Sequence, residues 1–323
     1  MKMMLCSDIR LGAVCMENLD VRQSQKWRRD RIERFADLID RASQNHTSYA
    51  LFFGELFGRE RVPEEVTDGL FRIVRDESGI QVLLFMPEDE YKRISYRNDI
   101  PANVHLLNLN TSDSYLDDHI ALRVERETVE LQLDDNASIF IRQNEKGFFG
   151  TECPDGVKMV PSFEPLGFED ASGATFGYAL LDWQSETIGN YLVVNDQKYQ
   201  FRNVELKIQH ADDEKEIIRK LNRIMNGFKA DTFLRVFISG RSAFGMVLSP
   251  DAVAAQCQNR IFYVEVFDNT SMDIDEETFE TDISLRSEFV RLALRDGSLS
   301  ESERNRIISA GWNALGGKEV NKQ

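Results

Sequence analysis

Histidine and cysteine, the residues that most often bind transition metals, are scarce in this chain, which has four of each among 323 residues. The cysteines (Cys6, Cys15, Cys153 and Cys257) show no Cys-x-x-Cys spacing, which favours reduced thiols over a zinc site or a disulfide framework. No segment approaches roughly 18 consecutive apolar residues, so a membrane-spanning helix is excluded. The apolar run near the start of the sequence is interrupted by a charged residue, Asp8, too soon to form the apolar region of a secretory signal. We therefore expect a cytoplasmic protein without a membrane partner.

Positive charge is also in deficit, because the formal net charge is −16. Residues 1–188 carry 21 Lys+Arg against 34 Asp+Glu, whereas residues 189–275 carry 11 against 12. Proteins that bind duplex DNA tightly neutralise phosphates with Lys and Arg, so this balance argues against strong unaided binding. We expect any contact with DNA to be weak and to involve the middle segment. The basic run at 26–31 is interspersed with acidic residues and is interpreted as a solvated helix face.

The first part of the chain alternates between strand and helix patterns. Segments 3–10, 49–57 and 82–89 each contain a near-continuous apolar run followed by a turn with a carboxylate. Between them, residues 23–43 place apolar side chains at spacings of three and four, which predicts an amphipathic helix, and a second helix is predicted after Pro63. This alternation predicts a parallel sheet covered by helices.

Four carboxylates follow the predicted strands: Asp8, Glu55, Glu88 and Asp89. The carboxyl ends of parallel strands share one edge of a sheet, where ligands usually bind. A cluster of oxygen ligands suits one Mg²⁺ or Mn²⁺ ion, and this remains one interpretation. The other is a pocket without metal, because Arg10 places a fixed positive charge beside Asp8. We expect its guanidinium to contact at least one of the four carboxylates, since clustered carboxylates repel unless something neutralises them.

The order and spacing of these turns resemble the start of the calcineurin-like metallophosphoesterases, and most closely the SbcD-type DNA-repair exonucleases. In that family the turns are Asp-x-His, Gly-Asp-Leu-Phe and Gly-Asn-His-Asp, and they hold two metal ions. Here Arg10 stands in place of the first histidine, Glu55 in place of the aspartate, and Asp89 in place of the catalytic histidine. The resemblance implies a retained scaffold whose metal site has degenerated.

A later motif of the family, Gly-His-x-His, corresponds to residues 147–150, where Phe148 and Gly150 stand in place of the histidines. None of the four histidines of this chain lies in a matching turn. The stretch 160–169, followed by 177–183, resembles the closing loop and final strand of the family. Phe148 and Gly150 therefore join Asp8, Arg10, Glu55, Glu88 and Asp89 as the positions of the degenerate site.

The predicted fold class is α/β. Short alternating patterns between residues 103 and 183 predict a second, more antiparallel sheet, so residues 1–188 are expected to form a two-sheet metallophosphoesterase-like α/β sandwich. Residues 189–275 resemble the small α/β capping domain of SbcD-type nucleases, and residues 276–323 form a helical tail. The resemblance covers nearly the whole chain in the domain order of the family.

The preferred function is that of a divergent SbcD-like protein that has lost most metal ligands and acts as a non-catalytic or weakly active subunit in DNA metabolism. The alternative is an active phosphodiesterase or exonuclease that uses Mn²⁺ or Mg²⁺ at the carboxylate cluster. A third interpretation is an interaction module with no role on DNA. The residues alone leave enzymatic activity undecided, and no cofactor is expected under the preferred interpretation.

The resemblance also implies a partner, because SbcD-type proteins work with an ABC-type coiled-coil ATPase. They dock to this ATPase largely through their own C-terminal helices. The predicted helix 300–315 carries a Ser-x-x-Glu capping box at Ser300 and Glu303. Its docking candidates are Ile307, Ile308, Trp312 and Leu315. The alternative is that this helix packs on its own protein. A homodimer is left open.

Overall fold

The computed structural model of the protein describes residues 1–58, 63–125, 128–134, 137–144, 147–151, 158–172, 175–184, 187–243, 246, 248–257, 260–272, 279 and 282–315. Contacts divide the chain into two compact units. The first is Met1–Tyr199, and the second begins at Gln200.

The first unit is an α/β sandwich with two six-stranded sheets, which confirms the predicted class. Its strands, β1 to β12 in chain order, are Lys2–Ser7, Tyr49–Phe53, Gln81–Met86, Val104–Asn108, Asp113–Leu116, Ala121–Glu125, Thr128–Asp134, Ala137–Asn144, Gly147–Thr151, Lys158–Val160, Tyr178–Gln184 and Thr187–Val194. Its helices, α1 to α3, are Val21–Gln44, Glu64–Asp76 and Glu88–Ile94. One sheet has the order β12-β11-β1-β2-β3-β4, and the other has the order β10-β9-β8-β7-β6-β5.

Strands β1, β2 and β3 of the first sheet are buried on both faces, which explains their continuous apolar runs. Strands β1 to β4 are parallel, and β11 and β12 are added antiparallel at the β1 side. Because side chains alternate along a strand, Leu5 and Phe53 pack into the core between the two sheets. Their neighbours Met4 and Phe52 pack with Phe35 of α1 on the opposite face.

The chain stays in the first sheet beyond the expected domain boundary at residue 188. Strand β12 pairs with β11 in a hairpin, and the contact division falls only after Tyr199. The sequence pattern did not predict this strand. It lies at the edge of the sheet, where Leu192 is 56% exposed, so its apolar residues do not follow the alternation of a half-buried strand.

The second unit begins with a three-stranded parallel sheet in the order β13-β14-β15. The elements, in chain order, are β13 (Gln200–Ile208), α4 (Glu214–Met225), β14 (Thr232–Ser242), α5 (Pro250–Cys257) and β15 (Tyr263–Met272). The apolar sides of α4 and α5 pack on one face of the sheet, where Leu221 and Val253 meet Val236. This strand–helix alternation agrees with the pattern predicted from the sequence for this segment.

The tail forms a helical hairpin of α6 (Leu285–Arg295) and α7 (Glu301–Leu315). The expected capping box is confirmed, because the Glu303 backbone N–H donates to Ser300 Oγ and the Ser300 backbone N–H donates to the Glu303 carboxylate. The helices share a small core that includes Val290 and Ile308. Within the described part of the chain, no helix is long and apolar enough to cross a bilayer.

Candidate functional site

The turns that follow β1 and β2 are joined by backbone hydrogen bonds. The Asp8 N–H donates to the Phe53 carbonyl at 2.8 Å, and the Arg10 N–H donates to the Glu55 carbonyl at 3.1 Å. Asp8 and Arg10 both adopt left-handed backbone conformations, with φ of 49° and 48°. Such conformations disfavour residues with a Cβ atom and are retained where the surrounding structure compensates the strain. The pairing of the two turns brings Asp8 and Glu55 side by side.

Gly54 allows this close approach. Its φ is 84°, and a Cβ atom at this position would lie 2.5 Å from Asp8 Oδ1 and 2.8 Å from the Phe148 ring. Phe148 is fully buried and packs against Phe53, with ring centroids 5.7 Å apart. An apolar ring therefore lies beside the strand ends at a position that the family resemblance assigns to a histidine. Gly150 follows in β9, where it pairs with β8 and β10.

Arg10 lies among three carboxylates. Its Nε is 3.0 Å from Glu55, its Nη1 is 3.7 Å from Asp170, and its Nη2 is 4.0 Å from Asp8. The Nε–H does not point at the Glu55 carboxylate, so that contact is an ion pair rather than a hydrogen bond. The expectation that Arg10 contacts the carboxylates at the strand ends is confirmed. Burial raises the pKa of Asp8 above its usual value, and the charge of Arg10 offsets part of that rise.

Glu88 and Asp89 do not join this cluster, which corrects the expectation from the sequence. Both lie in the first turn of α3 and form exposed ion pairs along the helix, with Lys92 at 2.5 Å and Arg93 at 2.6 Å. Among the residues that the structure describes, no three or more His, Cys, Asp or Glu side chains are close enough together to hold a metal ion. The four-carboxylate ligand set of the alternative interpretation is therefore not assembled.

Glu90 is the acidic residue that α3 directs inward. It is only 4% exposed, and its carboxylate accepts backbone hydrogen bonds from Leu56 at 2.7 Å, Phe57 at 3.2 Å and Gly58 at 3.0 Å. Burial raises the pKa of Glu90, and these hydrogen bonds oppose the rise. Glu90 therefore fixes the turn that carries Glu55. Sequence reasoning missed this role, because three adjacent acidic residues at the start of a helix do not show which one faces inward.

A buried arginine supports the β1 turn from the side of α1. Arg31 is fully buried and donates to the carbonyls of Ile9 at 2.5 Å and Arg10 at 3.2 Å. Its guanidinium also lies over the rings of Trp27 and Phe163. Burial lowers the pKa of Arg31 to about 10, so the side chain remains charged at neutral pH. The basic run at 26–31 is thus not wholly a solvated face, since Arg31 holds the left-handed turn in place.

Asp170, the third partner of Arg10, was not singled out by the sequence. It follows the stretch 160–169 that resembles the closing loop of the family, and its carboxylate also accepts the Leu166 N–H at 2.9 Å. The crevice lined by Gly54, Glu55 and Met86 at the strand ends has no room for a water molecule. The arrangement is a partly exposed, salt-bridged turn in which Arg10 offsets part of the negative charge of three carboxylates.

The docking candidates in the tail occupy different environments. Ile308 is fully buried in the hairpin core, which corrects its assignment to a docking surface. Trp312 is partly buried, with its ring edge-on to Phe279 and the Arg286 guanidinium over its face at 5.0 Å. Ile307 and Leu315 are 40% and 42% exposed. Only these last two present a substantial apolar surface to solvent.

Comparison with other proteins does not assign a family to the chain. Neither the known protein-family models nor the curated protein sequences match it. The likeness to SbcD-type nucleases therefore rests on the residues and turns described above, and the function that it suggests is a proposal.

Proposed function

We propose that this protein is a divergent SbcD-like subunit that acts in cytoplasmic DNA metabolism without its own nuclease centre, or with a weak one. The observation that carries the proposal is the position of Arg10. Its guanidinium lies between Glu55, Asp170 and Asp8, at the strand ends where the family places metal ligands. The α/β sandwich, followed by a small parallel-sheet unit and helices, agrees with the domain order of that family.

Electrostatics supports a site that works without a divalent cation. A two-metal phosphoesterase needs ligands for both ions and an open position for a metal-bound hydroxide. Here the Arg10 guanidinium lies within 4.0 Å of both Asp8 and Glu55 and offsets part of their negative charge, which lowers the attraction of these carboxylates for a divalent cation. Phe148, at a position where the family carries a histidine, offers no ligand atom.

The proposal is tested with the purified full chain and end-labelled duplex and single-stranded DNA in millimolar Mn²⁺ or Mg²⁺. The expected result is no degradation above a protein-free control, under conditions in which an active manganese-dependent exonuclease digests the same substrates. Titration calorimetry with Mn²⁺ should likewise show no binding that depends on Asp8.

The matched variants are Glu55→Ala and Tyr96→Ala, the latter changing an exposed side chain far along the sequence from the turns. Degradation by the wild-type protein that is lost in Glu55→Ala and kept in Tyr96→Ala would establish an active phosphodiesterase. That outcome would overturn the non-catalytic assignment.

The resemblance further suggests a coiled-coil ATPase as the partner, docked at the tail. The exposed side chains Ile307 and Leu315 support this part of the proposal, together with Leu285 and Leu292 of α6, which are 73% and 59% exposed. Exposed apolar side chains grouped on a helical hairpin are typical of helix-docking surfaces.

A further inference from the structure

In the parallel sheet of the second unit, α4 and α5 pack on one face, and α7 also approaches β15. Val204, Val236 and Val266 face the core formed with α4 and α5. Residues at the alternate positions of the same strands face the opposite way. Parallel sheets in proteins are normally covered on both faces, so an open face calls for a functional explanation.

Two phenylalanines lie next to each other on the open face. Phe237 of β14 and Phe267 of β15 are in register, and their rings stack with centroids 5.1 Å apart and an interplanar angle of 15°. Phe267 is 36% exposed, and Phe237 is partly exposed. By contrast, Phe233, two rows toward the amino ends of the strands, is fully buried. Of the aromatic side chains described on this face, Phe267 is the most exposed, and Phe201 and Tyr263 are partly exposed like Phe237.

The two phenylalanines are flanked by polar residues, and the carboxylates among these residues have partners on the same face. The row on one side contains Arg235, which pairs with Glu265 at 3.1 Å. Glu205, beside Phe237, accepts a hydrogen bond from Ser239 at 2.7 Å. Both carboxylates on this part of the face are thus engaged within it.

The balance of charge also separates this segment from the rest of the chain. Lys207, on the row beyond the phenylalanines, is exposed. Residues 200–272 carry 10 Lys+Arg against 9 Asp+Glu, a net charge of +1, whereas residues 1–199 carry 22 against 35, a net charge of −13. The open face therefore belongs to the one segment of this acidic chain that does not repel a polyanion.

We propose that this face binds single-stranded nucleic acid, with bases stacked on Phe237 and Phe267 and the backbone passing Lys207. Sequence-tolerant single-strand sites combine aromatic side chains with a cationic groove, because every base has a face that can stack. A docked protein would bury a larger apolar patch than two rings flanked by polar rows. The inference rests on the proposed role in DNA metabolism, and it adds a ligand and a surface to it.

The test is fluorescence anisotropy with the full-length protein and a labelled 20-nucleotide oligo-dT at 50 mM and 150 mM salt. Phe267→Ala should weaken binding about 5- to 150-fold, the range expected when one stacked base is lost. Phe267→Leu keeps the apolar volume but removes the aromatic face, so it should weaken binding while leaving the melting temperature near that of the wild type. Lys207→Gln should reduce the salt slope of log K by about 0.7, as expected for one phosphate contact to a single strand.

Tyr96→Ala, an exposed aromatic substitution in the first unit, is the matched control and should bind like the wild type. The inference is overturned if the wild type does not bind oligo-dT at 50 mM salt, or if both Phe267 variants bind as tightly as the wild type. It is also overturned if those variants instead change the oligomeric state, which would identify the face as a contact between copies. These readouts are independent of the nuclease assay, so failure of either proposal is recognised separately.

Discussion

Replacing Arg10 with methionine is the perturbation that most directly tests the structure of the site. Methionine keeps much of the side-chain length but removes the charge that lies among Asp8, Glu55 and Asp170. The Asp8 side chain is 14% exposed, the Asp170 side chain 30% and the Glu55 side chain 51%. The variant therefore leaves one largely buried carboxylate and two partly solvated ones without their shared partner.

The expected loss of stability lies between the values measured for exposed ion pairs and those measured for buried ion pairs. Exposed pairs contribute roughly 0 to 1 kcal/mol, whereas removing one partner of a buried pair costs roughly 3 to 5 kcal/mol. Because only Asp8 is largely buried here, we expect Arg10→Met to lower the free energy of unfolding of the first unit by about 2 kcal/mol at pH 7.5. Arg10→Lys should recover part of the loss, since it restores the charge without the fork of donors.

The pH dependence of this loss has a definite sign. Burial raises the pKa of Asp8 in the folded protein above the 3.8 of the free side chain, so its ionised form opposes folding at pH values above the raised pKa. That opposition is lost as the pH falls through the raised pKa, and it is absent well below 3.8, where the carboxyl is protonated in both states. Removing Arg10 raises the folded pKa further. The deficit of Arg10→Met should therefore be larger at pH 7.5 than at pH 5.

The assay is unfolding in urea, which does not screen charge, at both pH values. A Trp312→Phe background leaves Trp27 and Trp183 as reporters of the first unit. Arg29→Met is the matched control, because Arg29 and Glu33 form an exposed pair on α1 at 3.9 Å, and it should cost no more than about 0.5 kcal/mol. A deficit for Arg10→Met no larger than that of the control, or one that grows between pH 7.5 and pH 5, would refute the reasoning.

Two further predictions concern the loop anchor and the tail. Glu90→Ala leaves the buried N–H groups of Leu56 and Phe57 and the part-buried N–H group of Gly58 without their acceptor. It should lower the stability of the first unit by about 3 kcal/mol in the same urea assay. A loss below about 1 kcal/mol would contradict the role of Glu90 as anchor. In the tail, Ile308→Ala should lower the free energy of unfolding by about 2 to 5 kcal/mol, because it opens a cavity in the hairpin core. The double variant Ile307→Asp with Leu315→Asp should leave the melting temperature nearly unchanged and abolish co-purification with a coiled-coil ATPase. Retained co-purification would end the docking hypothesis.

Much of the local structure was predictable because apolar periodicity records which faces are buried. The strand 49–53 was predicted with the bounds that the structure has, and α1 and α2 lie where their apolar stripes indicated. The placement of Asp8 and Glu55 side by side also followed from the sequence, since neighbouring parallel strands end at one edge of a sheet. Arg10 was predictable as their partner because clustered carboxylates require a neutralising charge.

Other features depended on contacts between segments that are distant in the chain. Asp170 reaches Arg10 only because the loop after β10 folds over the end of β1, where Ser162 bridges to Ser7. No local pattern marks such a residue. Strand β12 likewise gained its place by pairing with β11 at the sheet edge, not by a pattern of its own.

The sequence by itself determined most of the order of strands and helices, with exceptions that include α3 and β12, and it determined that Asp8, Glu55 and Arg10 lie together at the strand ends. Tertiary structure alone decided that Glu90 turns inward while Glu88 and Asp89 form exposed pairs, and that Ile308 is buried while Ile307 is exposed. The physical reason is the same in both cases. The side chains of adjacent helical residues point about 100° apart, so only some residues of a short run can face inward. The sequence gives the residue types of the run, but the packing of the helix against its neighbours decides which of them are buried.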